Sequence, residues 1–81
     1  MDMGRYFFNS HHDFETQDPV GRELKSLDAA CGQARLDARN AAASEVKDLG
    51  TLSLSHRIEI KDETGETIGT VRLADAVRVR R

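Results

Sequence analysis

Apolar residues recur every second position at both ends of the chain and about every 3.6 positions between them. Toward the C-terminus, Ile58 and Ile60 alternate with Arg57, Glu59 and Lys61, the period-2 pattern of a half-buried antiparallel strand. Asp62 suits the first position of a type I turn, Glu63 and Thr64 its two central positions, and Gly65 the left-handed residue of a G1 bulge. The stretch from Ile58 to Thr70 therefore predicts a complete β-hairpin. With Asp62 paired to Glu66, Ile60 is expected opposite Ile68 on the buried face. Beyond Ile68 the apolar positions move from even to odd, at Val71 and Leu73. A bulge near Gly69 and Thr70 would return both to the Ile58 face.

The other periodic segments complete the outline. Residues 5 to 11 are aromatic-rich and predict a strand with Tyr6 and Phe8 on one face and Phe7 on the other; large apolar groups on both faces imply either a central position in the sheet or a second covered face. His12 and Asp13 suggest a turn, Phe14-Glu15-Thr16 a short return strand, and Asp18-Pro19-Val20-Gly21 a loop. Leu27, Ala30, Cys31, Ala34, Ala38, Ala41, Ala42, Val46 and Leu49 form one helical stripe. Ser26 stands as its N-cap, Asp28 in the first turn and Gly50 as its stop, with Gly32 a local weakness.

The stripe is mostly alanine, so the helix should lie close on the sheet. At 100° per residue Leu36 falls opposite Leu27, on the wet face. A helix of twenty-three residues is about 34 Å long against about 23 Å for a seven-residue strand, so part of it should overhang. Leu52 or Leu54 is expected to close one end of the core. The segment from Leu73 to Val79 reads either as an extension of the last strand or as a short helical turn capped by Asp75. Together these elements predict an α+β fold: a mostly antiparallel sheet of three to four strands with one long helix, residues 27 to 49, on one face, in the order β(β)αββ.

The chain has 81 residues, which implies one domain, 1–81. Hydrophobic residues make up 38%, many of them alanine, and there is no tryptophan. The core is therefore thin, and a partner surface is the ordinary way to thicken it. Net charge is −2, which argues against a general nucleic-acid binder. The charge is uneven: residues 1 to 70 hold eight Lys/Arg against thirteen Asp/Glu, and residues 71 to 81 hold four Arg against one Asp. Arg78, Arg80 and Arg81 make a basic tip, ordinarily a solvated end and otherwise a contact for phosphate or an acidic partner.

Catalytic chemistry is not evident. One cysteine, Cys31, excludes an intramolecular disulfide, and with no basic neighbour apparent it reads as a small buried thiol. His11 and His12 are adjacent, so a strand sends them to opposite faces, a poor geometry for one metal. A site would need one of them joined to His56, Asp13 or Asp18. Asp62, Glu63 and Glu66 surround a tight turn without the ligand spacing of a calcium loop. No nucleophile triad, phosphate loop or CxxC pair appears, and neither an enzyme nor a cofactor is expected. The absence of a signal-like or membrane-spanning run implies a cytoplasmic protein without membrane association.

The series Arg5-Tyr6-Phe7-Phe8, Asp18-x-x-Gly21-x-Glu23-Leu24, Leu27-x-Ala29-Ala30, Ile58-x-Ile60-x-Asp62-x-x-Gly65-x-x-Ile68-x-x-Val71 and Leu73-x-Asp75-Ala76 resembles a small bacterial family known only as a domain of unknown function. The resemblance spans nearly the whole chain. It departs at Asp13-Phe14, where the family usually has Asp-Gly, and at Ser26, where Asp is frequent. It implies a shape and transfers no catalytic residues. A looser resemblance, at the level of fold, is to antitoxin domains of the HicB type, which implies a regulatory interaction. The expected function is a small non-catalytic interaction or regulatory module, a homodimer with a protein partner still to be identified. Its candidate contact residues are Tyr6, Phe7, Leu36, Arg78, Arg80 and Arg81. The alternative is an antitoxin-like or nucleic-acid-binding regulator using the Arg-rich C-terminus.

Overall fold

Alternation in the first strand places its aromatic residues as predicted. The computed structural model describes residues 4–11, 15–78 and 80, and its first element is β1, Gly4–His11. Phe8 points inward and is buried; Tyr6 lies against the same core. After β1 come β2 (Glu15–Thr16), β3 (Arg22–Leu24), α1 (Leu27–Leu49), β4 (Arg57–Lys61), β5 (Thr67–Arg72) and α2 (Leu73–Ala76). The sheet runs β2-β1-β4-β5, with β3 also paired to β1, and all four pairings are antiparallel. The fold is therefore α+β with one long helix over one face. The strand β3 was not legible beforehand. The expected His12-Asp13 turn, together with Phe14, lies outside the described residues.

The helix begins and ends where its caps predict. The Ser26 hydroxyl accepts the N–H of Ala29 at 3.1 Å, and Gly50, at φ 68°, donates its N–H to the Val46 carbonyl. Replacing Ser26 with alanine should cost about 1 kcal/mol, measurable as a lower urea midpoint with unchanged slope. Ala30, Ala34, Ala38 and Ala42 form the buried stripe. Beyond Ala42 it stops: Val46 and Leu49, expected on the stripe, are exposed, because α1 outruns the sheet, while Leu27 at its start and Ala41 on its flank are exposed as well. Leu49 is 73% exposed. Leu52 and Leu54, expected to close the core, are also exposed. The loop that carries them folds back on Glu45, whose carboxylate accepts from Thr51 Oγ1 and Ser53 N.

The hairpin tip forms as predicted. Asp62 donates its N–H to the Glu66 carbonyl, Gly65 donates to Asp62, and Gly65 sits at φ 88°, a conformation costly for any residue with a Cβ. The register beyond it differs by one residue. Ile60 faces Gly69 rather than Ile68, and the extra residue of the bulge is Ile68, between Thr67 opposite Lys61 and Gly69 opposite Ile60. Gly69 faces the core, where Leu27 Cδ1 and Ile60 Cδ1 stand at ordinary contact distance, 3.5 and 3.6 Å, from the position of a Cβ. Val71 consequently pairs with Ile58 and is buried, as the parity shift required. Leu73 is fully buried but opens α2 instead of extending the strand. Asp75 does not cap that turn; Arg72 occupies the cap position without a side-chain bond.

The second face of the sheet is not an apolar one. Pairing register gives it Arg5, Phe7, Asn9 and His11 from β1, Glu15 and Glu23 from β2 and β3, and Arg57, Glu59, Lys61, Thr67, Thr70 and Arg72 from β4 and β5. Among the described strand residues Phe7 is its one large apolar residue, and it is half-buried. Of the two readings that the aromatics of residues 5 to 11 offered, β1 takes the central position, between β4 on one side and β2 and β3 on the other.

Candidate functional site

Two short strands share one edge of β1, and the gap between them shapes the site. Glu15–Thr16 pairs with the end of β1 and Arg22–Leu24 with its start, leaving Phe7, Phe8 and Asn9 without a strand partner on that side. Asp18 fills the gap. Its carboxylate accepts the N–H of Phe8 at 3.2 Å through Oδ2, and those of Val20 and Gly21 at 3.1 and 3.0 Å through Oδ1. The buried Asn9 side chain accepts the Asp18 N–H in return. Burial alone would push the Asp18 carboxyl up; the N–H groups of Gly21, Phe8 and Val20, with Arg22 nearby, outweigh it and hold the acid below its ordinary value. Gly21 completes the knot at φ 74°, where a Cβ would stand 2.9 Å from the Phe7 ring.

This loop, the inner face of β1 and β4 and the flank of α1 enclose a cleft of about 450 Å³. Phe8 and Ile58 are its floor and Ala41 part of its wall, with Ser10, Asp18, Arg22, Asp37 and His56 as polar lining. Arg22 crosses one side, its guanidinium carbon 5.3 Å from the Phe8 ring centroid and Nη1 3.3 Å from Asp37 Oδ2. Asp37 also accepts from Gln33 Nε2. The carboxylates and the guanidinium are thus committed to one another and to backbone, an arrangement that holds shape more than it offers reactive groups. A shallower groove of about 240 Å³ lies on the other face, beside Phe7, Asn9 and Lys61.

The predicted contact residues do not converge. Tyr6 is on the inner face, Phe7 on the outer, and Leu36 on the solvent side of α1, 51% exposed. Arg78 and Arg80 are exposed, and Arg81 lies outside the described residues. Of the histidines, His11 Nε2 is 2.7 Å from Glu59 Oε1 and Nδ1 3.5 Å from Glu15 Oε1; the shorter contact is not aligned as a hydrogen bond and is an ion pair only when the ring is protonated. His56 lines the cleft, while His12 and Asp13 lie outside the described residues. Among the described residues no group of three His, Cys, Asp or Glu side chains is placed to hold a metal ion, and no helix is long and apolar enough to cross a membrane. Cys31 is half-buried near Gly69. The cleft residues Arg22 and Asp37 had no signal in the sequence; Asp18 had one, the Asp18-x-x-Gly21 spacing.

A small α+β domain with a helix-covered antiparallel sheet and an Asp-pinned β1 edge is the class these features define. Within it, the chain belongs to the family described as a domain of unknown function (DUF6894), which matches residues 5–74. No curated protein and no solved structure matches the chain.

Proposed function

We propose that the chain is a small non-catalytic interaction or regulatory module that works as a homodimer. One observation carries the reading: among the described residues seven large apolar side chains, Val20, Leu27, Leu36, Val46, Leu49, Leu52 and Leu54, are exposed, against five that are buried, Phe8, Ile58, Ile60, Val71 and Leu73. Scattered exposed apolar residues are normal, but seven beside a core of five buried large side chains, with Tyr6, Leu24, Ile68 and Val77 packed against it, leave apolar surface that a second copy can cover. The cleft supports the non-catalytic part, since its charged groups are occupied in holding the loop and helix. A half-buried single cysteine suits a reducing compartment, and the reading places the module in the cytoplasm.

The test is size-exclusion chromatography with light scattering at micromolar concentration. The expected mass is twice the 9.0 kDa of the chain. A clean monomer at that concentration overturns the homodimer.

A further inference from the structure

We infer that Arg57 and Arg72, at the open end of the hairpin on the outer face of the sheet, form a binding site for a dianionic phosphate group, free or in a monoester. The inference goes beyond the interaction module proposed above and does not depend on its dimer. Both arginines are exposed, and they stand directly opposite each other across β4 and β5. Leu73 gives its N–H to the His56 carbonyl at 2.9 Å, one residue outside the pair, so Arg57 and Arg72 are a non-hydrogen-bonded pair. In such a pair the Cα atoms are only about 4.5 Å apart and the side chains are at their closest. Their neighbours Ile58 and Val71 are buried on the inner face, so alternation sends both arginine side chains out on the same side.

Charge identifies the ligand. Like charges directly opposed across a ladder destabilise it, and among the described residues no carboxylate offsets these two. The ion pairs there are Arg5 with Glu23 and Arg22 with Asp37, besides the contacts of His11 with Glu15 and Glu59. Glu59, two positions from Arg57 on the same face, is well placed to reach the arginines, yet its Oε1 lies 2.7 Å from His11 Nε2. Glu15 ends the row Glu15, His11, Arg57, Arg72 that crosses the sheet, and it faces the other nitrogen of the same imidazole. Two guanidinium groups without a counter-charge therefore share one small area. A phosphate monoester carries close to two negative charges on three terminal oxygens, enough for each guanidinium to form its own charge-assisted hydrogen bonds. A carboxylate or a phosphodiester brings one charge and leaves one arginine uncompensated.

The experiment titrates the full chain calorimetrically at about pH 8, where the group is dianionic, with inorganic phosphate, O-phosphoserine and a short oligothymidylate at one ionic strength. Wild type, Arg57→Gln and Arg72→Gln are compared, and each is also melted in chloride and in phosphate. Phosphate and O-phosphoserine should bind the wild type with a Kd of roughly 1 mM, and either substitution should weaken both by about tenfold or more. In chloride the variants should unfold no lower than the wild type, since each substitution removes a repulsion and no partner. Phosphate at about ten times its Kd should raise the wild-type midpoint by roughly 6 to 11 °C, and the variants' midpoints far less. Equal affinity for the two ligands assigns the site to the free anion, and tighter O-phosphoserine to a phosphorylated molecule. Four results overturn the site: no binding by the wild type at tens of millimolar phosphate; a midpoint shift the substitutions leave unchanged, which is a general effect of an excluded salt; variants that unfold well below the wild type in chloride, which shows that the arginines already have partners within the chain; and oligothymidylate bound more tightly than both phosphates.

Discussion

Ile60→Ala should lower the stability of the domain by about 3 to 4 kcal/mol and its midpoint of thermal unfolding by roughly 15 to 25 °C. Among the described residues Ile60 is one of two large side chains that are completely buried. It fills the room that Gly69 leaves across the ladder, and the helix above it presents alanines. Neither side can move a longer side chain into the vacated volume, so the cavity stays open and its full cost is felt. For a domain of this length total stability is roughly 4 to 12 kcal/mol, so the variant stands near the threshold of unfolding at 37 °C. Urea denaturation followed by circular dichroism checks it, with Ile60→Val, expected at about 1 kcal/mol, as the reference. A loss below that of the valine variant would show that helix and sheet can close over the gap.

Asp18→Asn should cost about 2 kcal/mol at neutral pH, through weaker bonds to three N–H groups that now accept a charge-assisted partner. The effect should depend on pH. The Asp18 carboxyl is held below its unfolded value, so its contribution is fully present above the ordinary carboxylate range near pH 4 and is lost as pH falls through the lower folded value. Asp62 is held down as well, chiefly by the Thr64 hydroxyl and also by N–H groups of its turn, and adds to the same acid sensitivity. The difference between wild type and Asp18→Asn isolates the first of the two. It should be largest above pH 5 and shrink toward pH 3; a difference independent of pH would mean that the neutral acid holds the loop equally well.

Legibility in the sequence followed locality. Ser26, Gly50, Asp62 and Gly65 act through bonds to residues within four positions, and the helix ends and hairpin tip came out as their chemistry required. Ile68 was displaced by one because the extra residue is taken up between the Lys61 and Ile60 pairings, one step nearer the turn than the shift in apolar parity marks. Val46 and Leu49 kept the helical period yet are exposed, since a period reports which side a residue takes and not whether anything lies there. Arg22-Glu23-Leu24 has too much charge and too few residues to read as a strand; pairing with β1, with Asp18 pinning the loop before it, makes it one. The spacing Asp18-x-x-Gly21 was visible, but its purpose lay in the missing strand partner of Phe8. The Arg22–Asp37 pair beside the cleft joins a strand to a helix fifteen residues on, a distance at which no local periodicity operates.

The central place of β1 has a consequence for how the chain is made. Its inner partner, β4, begins at Arg57, so a nascent chain leaving the ribosome presents Tyr6, Phe7 and Phe8 before the strand that will shelter them has been synthesised. Helix α1 can form early, but its alanine stripe has no floor until Ile58, Ile60 and Val71 arrive. Productive folding therefore waits until β4 and β5 have been synthesised, and the aromatic strand is the segment exposed meanwhile to chaperones or aggregation.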